Sequence, residues 1–152
     1  MTVTTRITLP DETATGALAR RCAARARPGD TFLLEGEIGA GKSHFARAFI
    51  RARLGAETEV PSPTFTLMQT YGPDEAIWHV DLYRLADTGE LVELGLDEAL
   101  GRAICLIEWP DRLGDLRPRD AAILHFSVSG AGRDLAVDGP ATLLQRLGLA
   151  DA

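Results

Sequence analysis

An α/β fold with a mixed, mostly parallel central sheet, flanked by helices and carrying antiparallel hairpins, is the class that this sequence predicts. Three observations point to it. Short apolar runs bounded by turn residues alternate with stretches of helical periodicity, the pattern of strands interleaved with helices. The most uniformly apolar run, Ala103-Ile104-Cys105-Leu106-Ile107, lacks the polar alternation of a half-exposed strand and reads as a strand buried on both faces. Between the run Thr31-Phe32-Leu33-Leu34-Glu35 and a helical pattern carried by Phe45, Ala48, Phe49, Ala52 and Leu54 lies the loop Gly36-Glu37-Ile38-Gly39-Ala40-Gly41-Lys42-Ser43. That loop satisfies G-x-x-x-x-G-K-[ST] at every fixed position and sits between a strand and a helix, the context the pattern requires.

Each element has a local reason. Residues 5–9 alternate enough for a short strand at a sheet edge. Asp11, after Pro10, is a plausible N-cap for a helix running to about Ala26, with Leu18 and Cys22 on one face. The arginines 20, 21, 25 and 27 read as its solvated side. Pro28-Gly29-Asp30 turns the chain into the strand before the glycine loop, and Gly55 stops the helix after it. Pro61-Ser62-Pro63-Thr64 is held extended by its prolines. Residues 65–71 and 77–83 then form two strands around the turn Gly72-Pro73-Asp74-Glu75. Residues 85–100 carry a helical pattern interrupted at Gly89 and Gly95, predicting one helix and a looser turn. Glu108-Trp109-Pro110 ends the strand at 103–107 abruptly, and residues 111–119 form a loop. A second hairpin pairs 122–128 with 135–137 around Gly130-Ala131-Gly132, and 141–147 closes as a short helix. No repeat, linker or low-complexity segment divides the 152 residues, so one domain spanning 1–152 is expected.

Composition excludes several functions. With 45% hydrophobic and 25% charged residues the chain is ordinarily globular, and a net charge of −6 gives it no general electrostatic hold on nucleic acid. Any RNA or DNA is therefore expected to be held by a partner. Cys22 and Cys105 are far apart in apolar surroundings and read as buried thiols in a reducing compartment. No apolar run approaches the ~20 residues of a membrane span, and residues 1–5 lack the regions of a signal peptide. A cytoplasmic location and no membrane association are the expectations.

The glycine loop carries the first chemistry. Its glycines allow positive φ and close approach of the backbone to an anion. Successive N–H groups then point at phosphate oxygens, and the helix that follows adds the positive end of its dipole. Gly39, Ala40, Gly41 and His44 would contribute backbone. Lys42 would reach the β- and γ-phosphates, and the Ser43 hydroxyl would hold Mg²⁺. Lys42 is the only lysine of the chain, whose other cations are arginines. A metal-bound phosphate also needs a carboxylate. Glu108, at the end of the apolar strand 103–107, and Asp81, sharing a strand face with His79 and Tyr83, are the candidates. Either could instead be structural: Glu108 as an exposed strand end, Asp81 as a partner of Arg84. His79 and His125 read as ordinary core or surface residues, and Trp109 as packing. Thr64 could face a γ-phosphate in the manner of a switch.

Four segments together resemble the bacterial TsaE family, the ATPases of tRNA threonylcarbamoyladenosine biosynthesis. They are the glycine loop, Ser62-Pro63-Thr64-Phe65-Thr66, His79-Val80-Asp81-Leu82-Tyr83-Arg84, and Ile104-Cys105-Leu106-Ile107-Glu108-Trp109-Pro110. Leu9-Pro10-Asp11-Glu12 and Gly132-Arg133 extend the likeness over nearly the whole chain. It implies a P-loop NTPase domain binding ATP and Mg²⁺, with low intrinsic and partner-dependent hydrolysis. It also implies a need for that ATPase in forming the threonylcarbamoyl group on adenosine 37 of tRNAs that read codons beginning with adenine. The implied partners are the transferase subunit TsaD and its companion TsaB. By the same likeness Lys42 lies on the phosphates, Ser43 and Glu108 at Mg²⁺, and Asp81 at metal-bound or attacking water. Thr64 becomes a sensor, Trp109 a residue needed for activity, and Glu12 and Arg133 neighbours of the base or sugar. The chain departs from the family at Ser43-His44, where two threonines are usual, and at Glu37, where aspartate is usual. Without the second hydroxyl, nucleotide affinity or exchange is where a difference is expected. Two other readings start from the same loop. A small-molecule kinase would use Arg112, Arg117 and Arg119 as a lid, and a non-hydrolysing assembly switch would use bound ATP only to shape a docking surface.

Overall fold

The computed structural model describes residues 1–61 and 67–150, so Thr64, Phe65 and their neighbours in the 62–66 segment lie outside the described residues. Seven strands form one sheet in the order β1-β7-β6-β2-β5-β4-β3. The strands are β1 Thr2–Leu9, β2 Thr31–Glu35, β3 Met68–Tyr71, β4 Ile77–Asp81, β5 Ile104–Glu108, β6 Ala122–Ser129 and β7 Gly132–Pro140. Between them fall the helices α1 Glu12–Arg25, α2 Lys42–Leu54, α3 Gly89–Leu94, α4 Leu96–Ala99 and α5 Ala141–Leu147. The central four strands, β6-β2-β5-β4, are parallel. Antiparallel pairing is confined to the flanks, where β3 joins β4 and where β7 joins β6 and β1. This is the mixed α/β architecture expected from the sequence.

Alternation along the central strands divides the core in two. Phe32 and Leu34 of β2, Ile77 of β4, and Ile104 and Leu106 of β5 pack against α1, α2 and α5. Leu33, Val80, Cys105 and Ile107 point the other way, toward Leu91, Leu96 and Leu113. A strand buried on both faces has no polar alternation to display, which is why 103–107 is uniformly apolar. On the first face Phe32 meets Phe49 edge-on with centroids 5.1 Å apart, and Phe45 meets Phe126 at 5.9 Å. Each buried aromatic contributes roughly 1.5–3 kcal/mol of burial free energy. Together they fix the start of α2 against β2 and β6.

Asp11 caps α1 as predicted, accepting a hydrogen bond from the Ala14 N–H at 2.9 Å. The four α1-region arginines are exposed. Both thiols are buried, and burial pushes each up to about 12. At the N-terminal end of β2, Asp30 receives a two-pronged ion pair from Arg146 at 2.7 and 2.9 Å, which ties α5 to the turn. Several elements differ from expectation. Pro110–Leu116 wind into 3-10 turns where a loop is expected, and β4 ends at Asp81 because the chain turns there, short of 83. β1 starts at Thr2, because an eight-residue antiparallel register with β7 holds Thr2, Val3 and Thr4 in place. β7 runs from Gly132 to Pro140 for the same reason. Residues 85–100 hold two short helices, since Gly95 takes a left-handed conformation (φ 87°) that ends α3 and starts α4.

Candidate functional site

Three parallel strands, β2, β5 and β4, end at the same edge of the sheet, and their register sets Leu34 beside Glu108 and Glu108 beside Asp81. Backbone bonds carry the alignment past the strand ends: the Trp109 N–H donates to the Leu34 carbonyl at 3.3 Å and the Leu82 N–H to the Glu108 carbonyl at 3.1 Å. Segments far apart in sequence thus converge at the carboxyl end of a parallel sheet, where α/β folds place their ligands.

The glycine loop leaves β2 and enters α2 there. Gly36 has φ 138°, and a Cβ on it would stand 2.5 Å from the Phe126 carbonyl oxygen, so any side chain would collide with the β6 backbone. Gly41 caps α2 in a left-handed conformation (φ 118°), and Phe45 N–H closes the first turn on its carbonyl at 3.0 Å. The amides at the start of α2 have no intrahelical acceptor and face the loop interior with the positive end of the helix. Lys42, only 4% exposed, folds back into the loop. Its ammonium donates to the Gly36 carbonyl and, at 3.1 Å, to that of Glu37. It also stands 4.1 Å from the centre of the Trp109 ring. Burial lowers the Lys42 pKa, against the opposing pull of Glu108 and Asp81.

Glu108 is 2% exposed yet has no cationic Lys or Arg partner among the described residues. One carboxylate oxygen accepts from the Ser43 hydroxyl at 3.0 Å, the other from His79 Nε2 at 2.7 Å. Asp81 accepts from the Tyr83 N–H at 3.0 Å and forms no ion pair with Arg84 among the described residues. Burial raises its pKa, the Tyr83 N–H opposes this, and the nearby Glu108 raises it further. Trp109 takes a left-handed backbone (φ 60°) that no sequence pattern announces, and its ring packs on Tyr83 with centroids 5.0 Å apart.

A cavity of about 810 Å³ opens over this edge, within the range of small-molecule sites. Its lining includes Glu12, Gly39, Gly41, Lys42, Ser43, His44, Asp81, Glu108, Trp109 and Arg133. Ala40 is buried behind it, and Thr64 lies outside the described residues. Arg133 reaches from the start of β7 to the Ala40 and Gly39 carbonyls, each at 3.0 Å, so it also braces the loop. His44 Nε2 lies 3.2 Å from the Glu12 carbonyl, where an imidazole N–H donates and links α2 to the first turn of α1. Arg47, one helical turn beyond Ser43, and Arg84 line the same cavity; the sequence points to Arg84 only as a partner for Asp81, and not to Arg47. Arg112 and Arg117, two members of the suggested kinase lid, are committed elsewhere, to the Leu85 carbonyl at 3.2 Å and to Glu35 at 3.0 Å.

The donor set suits a hard cation. Ser43 and Glu108 offer oxygen, and no group of three or more His, Cys, Asp or Glu among the described residues is arranged to hold a metal unaided. That arrangement fits Mg²⁺, which takes few protein ligands and completes its shell with water and phosphate. Fold and loop therefore define the class: a P-loop NTPase-type α/β protein.

Comparison with known proteins narrows the class. Residues 9–135 match the family described as "Threonylcarbamoyl adenosine biosynthesis protein TsaE". Two proteins named "tRNA threonylcarbamoyladenosine biosynthesis protein TsaE" are similar to the chain. The one from Rickettsia bellii is 43% identical over 111 residues, 72% of this chain and 77% of that protein. The one from Bacillus subtilis is 39% identical over 127 residues, 82% of this chain and 76% of that protein. The crystal structure of Bacillus subtilis YdiB superposes with a TM-score of 0.79 at 26% identity, covering 100% of this chain and 99% of that one. The chain belongs to the TsaE family.

Proposed function

We propose that this protein is a Mg²⁺-dependent ATPase of the pathway that forms the threonylcarbamoyl group on adenosine 37 of tRNAs reading codons that begin with adenine. It acts in the cytoplasm with the TsaD–TsaB complex, and it meets tRNA only through those partners. The observation that carries the reading is the convergence on one cavity of Lys42 and Ser43 with Asp81 and Glu108, in a chain of this family.

On this reading the backbone of Gly39 to His44 cradles the phosphates, and Lys42 leaves the Gly36 and Glu37 carbonyls to meet them. Ser43 and Glu108 hold Mg²⁺, which supplies positive charge against the phosphate oxygens. Asp81, half-buried beside Glu108, orients the attacking water through its other carboxylate oxygen. Trp109 holds Lys42 in place before the phosphates arrive and shields the site from solvent. Glu12 and Arg133 border the base or sugar, and Thr64 senses the γ-phosphate. The net charge of −6 supports indirect contact to tRNA, and among the described residues no helix is long and apolar enough to cross a membrane.

The test is reconstitution. Purified protein with γ-labelled ATP and Mg²⁺ is expected to release free phosphate slowly, and to support threonylcarbamoylation when TsaD, TsaB and tRNA are added. Label appearing on a metabolite would make the protein a kinase. Undiminished modification by a Glu108→Ala variant that still binds ATP and its partners would make it a non-hydrolysing switch.

A further inference from the structure

His79 is a buried ionisable side chain with no role in the scheme above. It is 1% exposed, in the middle of β4, with Nε2 2.7 Å from Glu108 Oε2. Since a carboxylate accepts, Nε2 carries the hydrogen of that bond. Among the described residues Nδ1 has no partner. A buried imidazole with half its polar capacity unmatched costs stability relative to an apolar side chain of similar size. Packing alone is therefore a poor account of a histidine here. The register offers a better one. Asp81 lies beside Glu108 and His79 beside Leu106, so His79 and Glu108 are diagonal neighbours on one face of adjacent strands. Strand geometry thus aims the imidazole at the carboxylate.

We propose that His79 is a positioning residue that locks the Glu108 carboxylate, so that Oε1 stays directed at Ser43 as a ready metal ligand. The proposal rests on the reading of Ser43 and Glu108 as the Mg²⁺ ligands. A carboxylate held at one oxygen only can swing about its Cγ–Cδ bond. Held at Oε2 by His79, it keeps Oε1 facing the Ser43 hydroxyl at 3.0 Å, the second oxygen donor. Hydrogen-bond partners of metal ligands typically change metal affinity or activity 10–100-fold when removed.

Two polar substitutions separate this role from a structural one. The amide nitrogen of His79→Gln can stand where Nε2 does, whereas that of His79→Asn falls short of Glu108. Binding of a fluorescent ADP analogue, titrated with and without Mg²⁺, reads the effect without turnover, and phosphate release gives kcat and KM. His79→Asn is expected to raise the Mg²⁺ concentration for half-maximal enhancement of binding about tenfold, and to lower kcat by a similar factor. Nucleotide affinity without Mg²⁺ should stay within about twofold of the unsubstituted protein, and His79→Gln should restore most of the Mg²⁺ response. On a Glu108→Gln background, His79→Asn should add nothing, because the group it positions is gone.

Equal behaviour of His79→Asn and His79→Gln overturns the proposal, as does full additivity with Glu108→Gln. His79→Leu is a second variant without the donor, so a folding defect in one leaves the other to decide. Loss of fold in both, read by circular dichroism, would make His79 structural and also overturn it. The underlying reading fails separately: nucleotide binding by the unsubstituted protein would then show no Mg²⁺ dependence.

Discussion

The two ends of β2 each carry buried charge, and they treat it in opposite ways. At the N-terminal end Asp30 is matched completely: Arg146 grips both its oxygens, and the Arg27 N–H adds a third bond at 2.7 Å. At the C-terminal end Lys42 and Glu108 are as buried or more so, yet neither bonds the other: Lys42 donates to loop carbonyls, and Glu108 accepts from Ser43 and His79. Pairing the two would give a stable internal salt bridge and leave the loop nothing to offer a ligand. The contrast separates a charge used to hold the chain together from charges held apart for something that arrives later.

The largest effect that would sharpen this comparison is functional. Lys42→Ala should lower ATP hydrolysis by about 100-fold or more, the scale of removing a charge-stabilising group from a phosphoryl site. Its thermal midpoint should fall less than that of Asp30→Ala, because two carbonyl bonds and a ring contact are lost but no ion pair. Phosphate release and a melting curve check both halves, and tRNA modification in cells carrying the variant should fail.

Asp30→Ala should do the reverse. Breaking a mostly buried, two-pronged pair should cost roughly 2–3 kcal/mol, between the exposed and buried limits for ion pairs. Nucleotide affinity should change less than about twofold if the two ends of β2 are independent. Urea unfolding and nucleotide titration measure the two quantities.

Smaller still is the effect at His44. His44→Thr removes the bond to the Glu12 carbonyl and restores the second hydroxyl usual in the family, so nucleotide should bind about three- to tenfold tighter, the worth of one hydrogen bond. Weaker binding in a titration would show that the α1–α2 link matters more than the hydroxyl.

The mildest expected effect concerns the two thiols. Their folded-state pKa values, raised by burial to about 12 from 9.0, mean that the folded chain keeps protons the unfolded chain has lost. Their contribution to stability is therefore intact below pH 9 and is lost as pH rises toward 12. Denaturation midpoints should fall across that window, and the fall should be smaller in a Cys22→Ala, Cys105→Ala variant. At neutral pH a thiol reagent should label both only after unfolding.

The parallel core was legible because it is written in local patterns. The apolar runs at 31–35 and 103–107 needed no partner to be read, and Asp11 announced α1 by residue type and place. The flanking strands were cut short because Thr2, Thr4, Asp134 and Asp138 carry no apolar signal. What holds them is the β1–β7 register, a tertiary fact. At the site, Lys42, Ser43 and the two carboxylates could be named from spacing. The contact between His79 and Glu108 could not, since it depends on how β4 slides against β5. Nor could the reach of Arg133 to the loop carbonyls, 93 residues away, be found without the fold.

The edge pairing of β1 with β7 has a consequence in time. Thr2 lies opposite Pro140, so β1, made before the other six strands described, has no neighbour until β7, the last of the seven, has followed. Long-range pairings of this kind slow folding, because the chain between them must be closed before the contact repays it. Until then β1 is an unpaired strand searching for an edge, and the nascent chain is most exposed to mispairing at that strand. Synthesis order and folding order run in opposite directions here. Slowing translation should therefore do little to speed completion of the sheet.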